Sequence, residues 1–288
     1  VIQRQAPVQA VTIPKAPEAE DYPVSSQQKR LYALQQFDED SIAYNIPGAF
    51  VLRGKLDPER VQAACGGLIR RHEALRTSFA LKGQALVQQV DPDAVLAIEY
   101  SELPGAGVEE TLQGFVQPFR LDQAPLLRIR LVRVANECHV LQIDMHHIIS
   151  DGLSIELLVR DFLAYYEGRT LAEPRIQYKD YAVWQQNRDS AFWQEERAFW
   201  LEQYKDGYEL LDLPTDFRRP PLKQFAGSLR PFAWTGEISG SLQAFCQTHQ
   251  ITPYMLLLGC FTILLSKYSR QQEIWVGTPV GGRVGVDT

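Results

Sequence analysis

His146-His147-Ile148-Ile149-Ser150-Asp151-Gly152 constrains this chain more than any other segment. The strand-length run Cys138 to Met145 leads into the two histidines, and the Asp-Gly pair opens a second apolar run. In that second run Ile155, Leu158, Val159 and Phe162 recur at helical spacing, which predicts a helix from about Leu153 to Glu167. The segment is therefore a strand-to-helix corner that carries imidazole beside a carboxylate. Adjacent residues of an extended strand point to opposite faces. His146 and His147 cannot both face one cavity, so one is left for chemistry and the other for structure.

The pattern around the corner alternates between strand and helix. Val1 to Asp21 carries Pro7, Pro14 and Pro17 and reads as an interdomain linker, the mark of a piece cut from a longer polypeptide. A helix capped by Ser25 or Ser26 runs to Gln36, with Leu31, Leu34 and Gln35 at helical spacing. Ala49 to Arg53 is a strand, and Asp57-Pro58 opens a helix with Val61, Cys65, Leu68 and Ile69 on one face. Strands follow at Leu86 to Val90 and Ala94 to Tyr100, then a helix near Val108 to Gln117, then strands Leu126 to Val134 and Cys138 to Met145.

After the hinge Gly168 to Pro174, a long aromatic helix is predicted from Tyr181 to about Tyr204, its aromatics read as helix packing. Strand Leu229 to Thr235, helices Ser241 to His249 and Thr252 to Tyr268, and strand Glu273 to Pro279 complete the pattern. These groups predict an α/β fold in two lobes, residues 22–172 and 173–288, after the linker at 1–21.

A net charge of −6 without any basic run argues against nucleic acid. Cys65, Cys138, Cys246 and Cys260 form no CxxC pair and read as core residues in a reducing compartment. The start lacks a charged segment followed by an apolar one, and Tyr254 to Leu265 is too short to cross a bilayer, so no membrane partner and a cytoplasmic location are expected. Adjacent histidines chelate poorly and no carboxylate lies at helical spacing from them, so no metal is expected. A serine hydrolase is excluded by the want of a GxSxG elbow.

Local chemistry leaves two readings of the corner open. A neutral imidazole with pKa near ~6.5 accepts a proton at working pH, and the Gly152 N–H at a helix N-terminus favours developing negative charge. The alternative is a surface histidine pair beside a helix cap.

Five ordered segments decide between them. HHxxxDG at His146 to Gly152 resembles the signature of condensation domains of nonribosomal peptide synthetases, members of the chloramphenicol-acetyltransferase-like acyltransferases. Tyr22 to Tyr32 resembles the family's opening motif, with Ser26-Gln27 where Ala-Gln is more usual. Arg71 to Phe79 matches its RHExLRTxF segment, Tyr178 to Gln185 the segment that opens the second lobe, and Gly277 to Arg283 its GTPxxGR element. The likeness runs from Tyr22 to Arg283.

The resemblance implies a two-lobed fold with the site in a channel between the lobes. It also implies peptide-bond formation between a carrier-bound donor thioester and a carrier-bound acceptor amine. His147, matching the family's second histidine, faces the channel, and His146 is structural. The Gly152 N–H is the candidate donor to the oxyanion. Asp151 anchors the loop by pairing with an arginine, Arg76 or Arg283. His72 is expected as a core or cap residue and His139 as a strand position.

The partners implied are upstream donor and downstream acceptor carrier domains, with their phosphopantetheine arms, and an adjacent adenylation domain; no cofactor of its own is implied. Ile42 to Pro47 and Ser150 to Ser154 resemble the subtype that joins two L-configured residues. Heterocyclization domains, with Asp-rich residues in place of the histidines, are excluded. Family members continue past GTPxxGR, so an incomplete second lobe and poor turnover by residues 1–288 alone are expected. The competing functions are an acyltransferase using acyl-coenzyme A and a silent module that recruits partners.

Overall fold

The structure is a computed structural model and describes residues 12–188, 190–221, 227–234 and 236–281, without the side chains of residues 190–192. Arg283 and residues 1–11 lie outside the described residues. The chain divides into two compact units, the first running to Asp189 and the second spanning Ser190–Val280.

The first unit holds β1 (Tyr22–Pro23), α1 (Ser26–Gln36), β2 (Asn45–Arg53), α2 (Pro58–Arg71), β3 (Thr77–Lys82), β4 (Ala85–Val90) and β5 (Ile98–Glu102). It continues through the single turn α3 (Val108–Thr111), β6 (Leu127–Ala135), β7 (Cys138–His146), α4 (Gly152–Tyr166) and α5 (Tyr178–Gln186). Four strands make the main sheet in the order β2-β7-β6-β5, antiparallel except for the parallel β5–β6 edge. A smaller antiparallel sheet runs β1-β4-β3.

The helix starts have the expected chemistry. Ser25 caps α1 in a reciprocal box with Gln28, and Asp57 caps α2, whose first residue is Pro58. One face of β7 (Leu141, Ile143, Met145) packs toward Cys65 and Leu68 of α2 and Ile155, Leu158 and Phe162 of α4, around an apolar cavity of about 140 Å³. Gly67 brings α2 close to α4, because a Cβ there would lie 2.9 Å from the Tyr165 ring. Burial pushes the Cys65 thiol up to about 12, so it behaves as a small apolar residue. Cys246 is also buried, whereas Cys260 is exposed, against the expectation of a core position.

Several predicted elements change. The helix expected over 108–117 is one turn. The strand expected from Ala94 begins only at Ile98, where pairing with Ile129 of β6 begins. Thr77–Lys82, the end of the Arg71 to Phe79 motif and beyond, forms an antiparallel strand beside β4 that the sequence pattern did not predict. Segment 12–21 is not loose: Ile13 is fully buried and the Ala16 N–H donates to Asp180 Oδ1 of α5 at 2.9 Å.

The long helix expected over 181–204 is two, α5 and, in the second unit, α6 (Ser190–Gln203). The second unit also contains α7 (Glu237–Thr248) and α8 (Pro253–Ser269), which starts on Thr252 as cap. Phe199 and Trp200 of α6 are 56% and 54% exposed; they meet edge-on, and Trp200 stacks on Tyr204, rather than packing inside. Neither 229–234 nor 273–279 forms a strand: among the described residues no neighbour pairs with either, and a lone extended segment gains no ladder hydrogen bonds. Among the described residues no single helix is long and apolar enough to cross a membrane.

Candidate active site

β7 ends at His146, residues 147–149 form a turn, and Asp151 caps α4. The Asp151 carboxylate receives the Ser154 N–H at 2.8 Å and the Ser154 hydroxyl at 2.6 Å, while the Asp151 N–H donates back to Ser154 Oγ at 3.2 Å. This reciprocal cap fixes where the helix begins.

The inward side of the corner is built as core. His146 is fully buried and its ring meets Phe119 edge-on at 6.2 Å. The Ile148 N–H donates to His146 Nδ1 at 3.1 Å, and His146 Nε2 lies 3.4 Å from Gln35 Oε1. Burial, reinforced by the neighbouring His147, pushes the His146 pKa down to about 4, so the ring is neutral at working pH.

Two residues back on the same face, Asp144 is fully buried between Asn45 Nδ2 at 2.9 Å and Arg128 Nη1 at 3.2 Å. Burial raises its carboxyl above the usual range, against the opposing pull of Asn45 and Arg128. The Arg128 guanidinium lies 3.7 Å from the centre of the Phe119 ring, so His146 and Asp144 share one lined compartment.

The outward side is bare. His147 is exposed, its N–H donates to the Tyr44 carbonyl at 2.8 Å, and among the described residues its imidazole has no hydrogen-bond partner. Gly152 is the exposed first residue of α4, and a Cβ there would meet nothing within 4 Å. No acceptor among the described residues meets its N–H. A proton acceptor and a helix-N-terminal donor thus flank one short turn, the pair that an acyl transfer needs for its amine and its oxyanion.

Of the two arginines expected beside Asp151, Arg283 lies outside the described residues. Arg76 is engaged elsewhere: its Nη2 lies 3.6 Å from Glu73 and its Nη1 donates to the Asp91 carbonyl at 3.4 Å. It sits in the turn Glu73–Arg76 ahead of β3, and its hydrogen-bond and ion-pair partners do not include Asp151. His72 is the C-cap of α2 and His139 a buried position of β7.

The description "Condensation domain" fits a family model matching residues 18–288. This chain belongs to the condensation-domain family. The domain is 42% identical to bacitracin synthase 2 of Bacillus licheniformis over 98% of this chain and 11% of that protein. It is 44% identical to tyrocidine synthase 3 of Brevibacillus parabrevis over 96% of this chain and 4% of that protein. It therefore spans only a small part of these relatives.

Among solved structures, a holo four-domain nonribosomal peptide synthetase with AMP and glycine matches at TM-score 0.80 and 25% identity, covering 92% of this chain and 21% of that one. SgcC5 from Streptomyces globisporus matches at TM-score 0.70 and 26% identity, covering 91% of this chain and 63% of that one.

The condensation domain holds two supports that the sequence reading passed over. Gln35 stood in the inward row of α1, and a polar residue there signals a buried partner. Asp161 of α4 is buried and gathers Arg71 Nε at 2.9 Å, His72 Nε2 at 2.9 Å and Arg160 Nη2 at 3.0 Å. Burial lowers the His72 pKa despite the hydrogen bond to Asp161, so that contact is a neutral N–H donating to a carboxylate rather than an ion pair. The three donors outweigh burial at Asp161 and hold its carboxyl below the usual range.

Proposed function

We propose that this condensation domain joins a donor acyl group and an acceptor amine, both delivered as thioesters on the phosphopantetheine arms of carrier domains. The observation that carries the reading is the exposed imidazole of His147 beside the Gly152 N–H, both without a hydrogen-bond partner among the described residues. The acceptor amine attacks the donor thioester carbonyl and the C–N bond forms. The tetrahedral oxyanion is held by the Gly152 N–H, and His147 takes the ammonium proton. Collapse breaks the C–S bond, and that proton passes to the departing thiolate. A placed base contributes about two to four orders of magnitude, and alignment of the two thioesters supplies much of the rest. Asp151 is the cap that sets the start of α4.

The subtype that joins two L-configured residues is the finer reading. It is supported by Ile42 to Pro47, a segment that meets the histidine corner directly: the Tyr44 carbonyl receives the His147 N–H, and Asn45 binds Asp144. The partners are a donor carrier, an acceptor carrier and an adenylation domain that loads one of them. The resemblance of the chain to long synthetases supports carriers over coenzyme A as the donor.

Matched assays with carrier-bound and coenzyme A-bound L-aminoacyl donors, each against the same loaded acceptor carrier, test this. Product from the carrier pair and little from coenzyme A is expected. Equal or faster transfer from coenzyme A would replace the reading by a stand-alone acyltransferase.

A further inference from the structure

Gln35 is only 2% exposed, although α1 is otherwise a largely polar helix. Its amide nitrogen donates to two carbonyls, Glu39 O at 3.0 Å and Ser41 O at 3.1 Å. Both amide protons are thereby used, and the oxygen is turned to the other side, toward His146 Nε2. An amide oxygen only accepts, so Nε2 must carry the imidazole proton. The Ile148 N–H reaches the same conclusion from the opposite end of the ring, because Nδ1 accepts it only as a lone pair. Two unconnected partners thus select one neutral tautomer.

The same amide governs the other histidine. Glu39 and Ser41 belong to the connection that reaches Tyr44, and the Tyr44 carbonyl receives the His147 N–H at 2.8 Å. The connection is braced further by the Asn45 N–H donating to Ile42 O at 3.0 Å and the Ala43 N–H to Ser41 Oγ at 3.3 Å. One side chain therefore holds the His146 ring directly and the His147 peptide through residues 39–44.

We infer that Gln35 is a positioning residue that locks the tautomer of His146 and, through the 39–44 connection, the orientation in which His147 is displayed. The inference rests on the reading of His147 as the acting imidazole, but the lock itself is observable without turnover.

Two variants separate its parts. Gln35→Glu keeps an acceptor for His146 but strips the donors from Glu39 O and Ser41 O, and its negative charge favours an imidazolium whose Nδ1 no longer accepts from Ile148. Gln35→Met keeps length and burial but removes every hydrogen bond. The experiment is two-bond 1H–15N spectroscopy of the whole chain labelled at histidine, together with amide exchange at His147 and kcat and KM for condensation.

In the wild type the His146 ring should show protonated Nε2 and bare Nδ1, neutral down to about pH 4. Gln35→Glu should make that ring titrate at a higher pH and give kcat a new acid limb there. Gln35→Met should weaken the tautomer preference to what the Ile148 N–H alone enforces and speed His147 amide exchange. In both, kcat should fall about ten- to hundredfold at little-changed KM, the size of effect expected from small misplacement of a reacting group.

A wild-type ring protonated at Nδ1 would overturn the inference. So would both variants leaving the His146 spectrum and His147 exchange unchanged, whatever happened to kcat. Failure of the His147 reading shows separately, in the turnover of His147→Ala.

Discussion

On the inward side of the corner, both ring nitrogens of His146 have partners and the ring is sealed under Phe119. One residue later, the His147 imidazole and then the Gly152 N–H have none among the described residues. A buried polar group costs free energy unless it is hydrogen-bonded, and with a partner at each ring nitrogen the His146 imidazole is held rigidly on the inward side. The outward side keeps an acceptor and a donor in reserve on that rigid mount. Catalytic preorganisation has this form: hydrogen-bonding capacity left open toward the reacting atoms, held by groups that have nothing left to give.

The contrast can be broken from either side. The largest effect belongs to the anchor of α4, the helix whose first residue is Gly152. Asp161→Ala leaves Arg71 and His72 facing a vacated buried site, and it should cost about 3–5 kcal/mol in urea unfolding. A loss under about 1 kcal/mol would show that the cluster is a surface pair in effect and that α4 is held by apolar packing alone.

On the outward side, Gly152→Pro removes one donor and little else. Proline is favoured at the first helical position, and Asp151 already has the extended backbone (φ −140°, ψ −178°) that a following proline requires. The protein should keep its melting temperature within a few degrees while kcat falls about 10²- to 10³-fold. Unchanged kcat would remove Gly152 from the oxyanion role. Gly152→Ala keeps the N–H in open space and should retain activity.

Acid should act on the inward side. An unfolded histidine takes up its proton near ~6.5, whereas buried His146 refuses it until about pH 4. Stability is therefore full above pH 6.5 and is lost as pH falls, through a window closing near pH 4, by about 3 kcal/mol in total. His72 and His139, also lowered by burial, tilt the curve the same way. His146→Asn should flatten part of the slope in denaturation followed from pH 7 to 4. An unaltered slope would mean that His146 takes up its proton at the same pH in the folded protein as in the unfolded chain.

The same contrast marks how far the sequence was legible. The corner, its two opposed histidines and the capped starts of α1, α2 and α4 followed from local chemistry, since caps and periodicity act within a few residues. What the sequence left unread depends on distant partners. Residues 229–234 and 273–279 have strand composition and find no strand to pair with among the described residues, while Thr77–Lys82 pairs with β4. Arg76 sits in a motif that suggested Asp151 as its partner, but its turn delivers it to Glu73 and Asp91. Gln35 and Asp161 are the reverse case: polar residues at inward helix positions whose partners lie in other segments, His146 for one and Arg71 and His72 for the other.

The central claim is that His147 acts while His146 supports, and single-turnover condensation between two defined, loaded carrier domains tests it most directly. His147→Ala should lower the rate by about 10²- to 10⁴-fold with an unchanged unfolding midpoint. Undiminished product formation by His147→Ala would contradict the account.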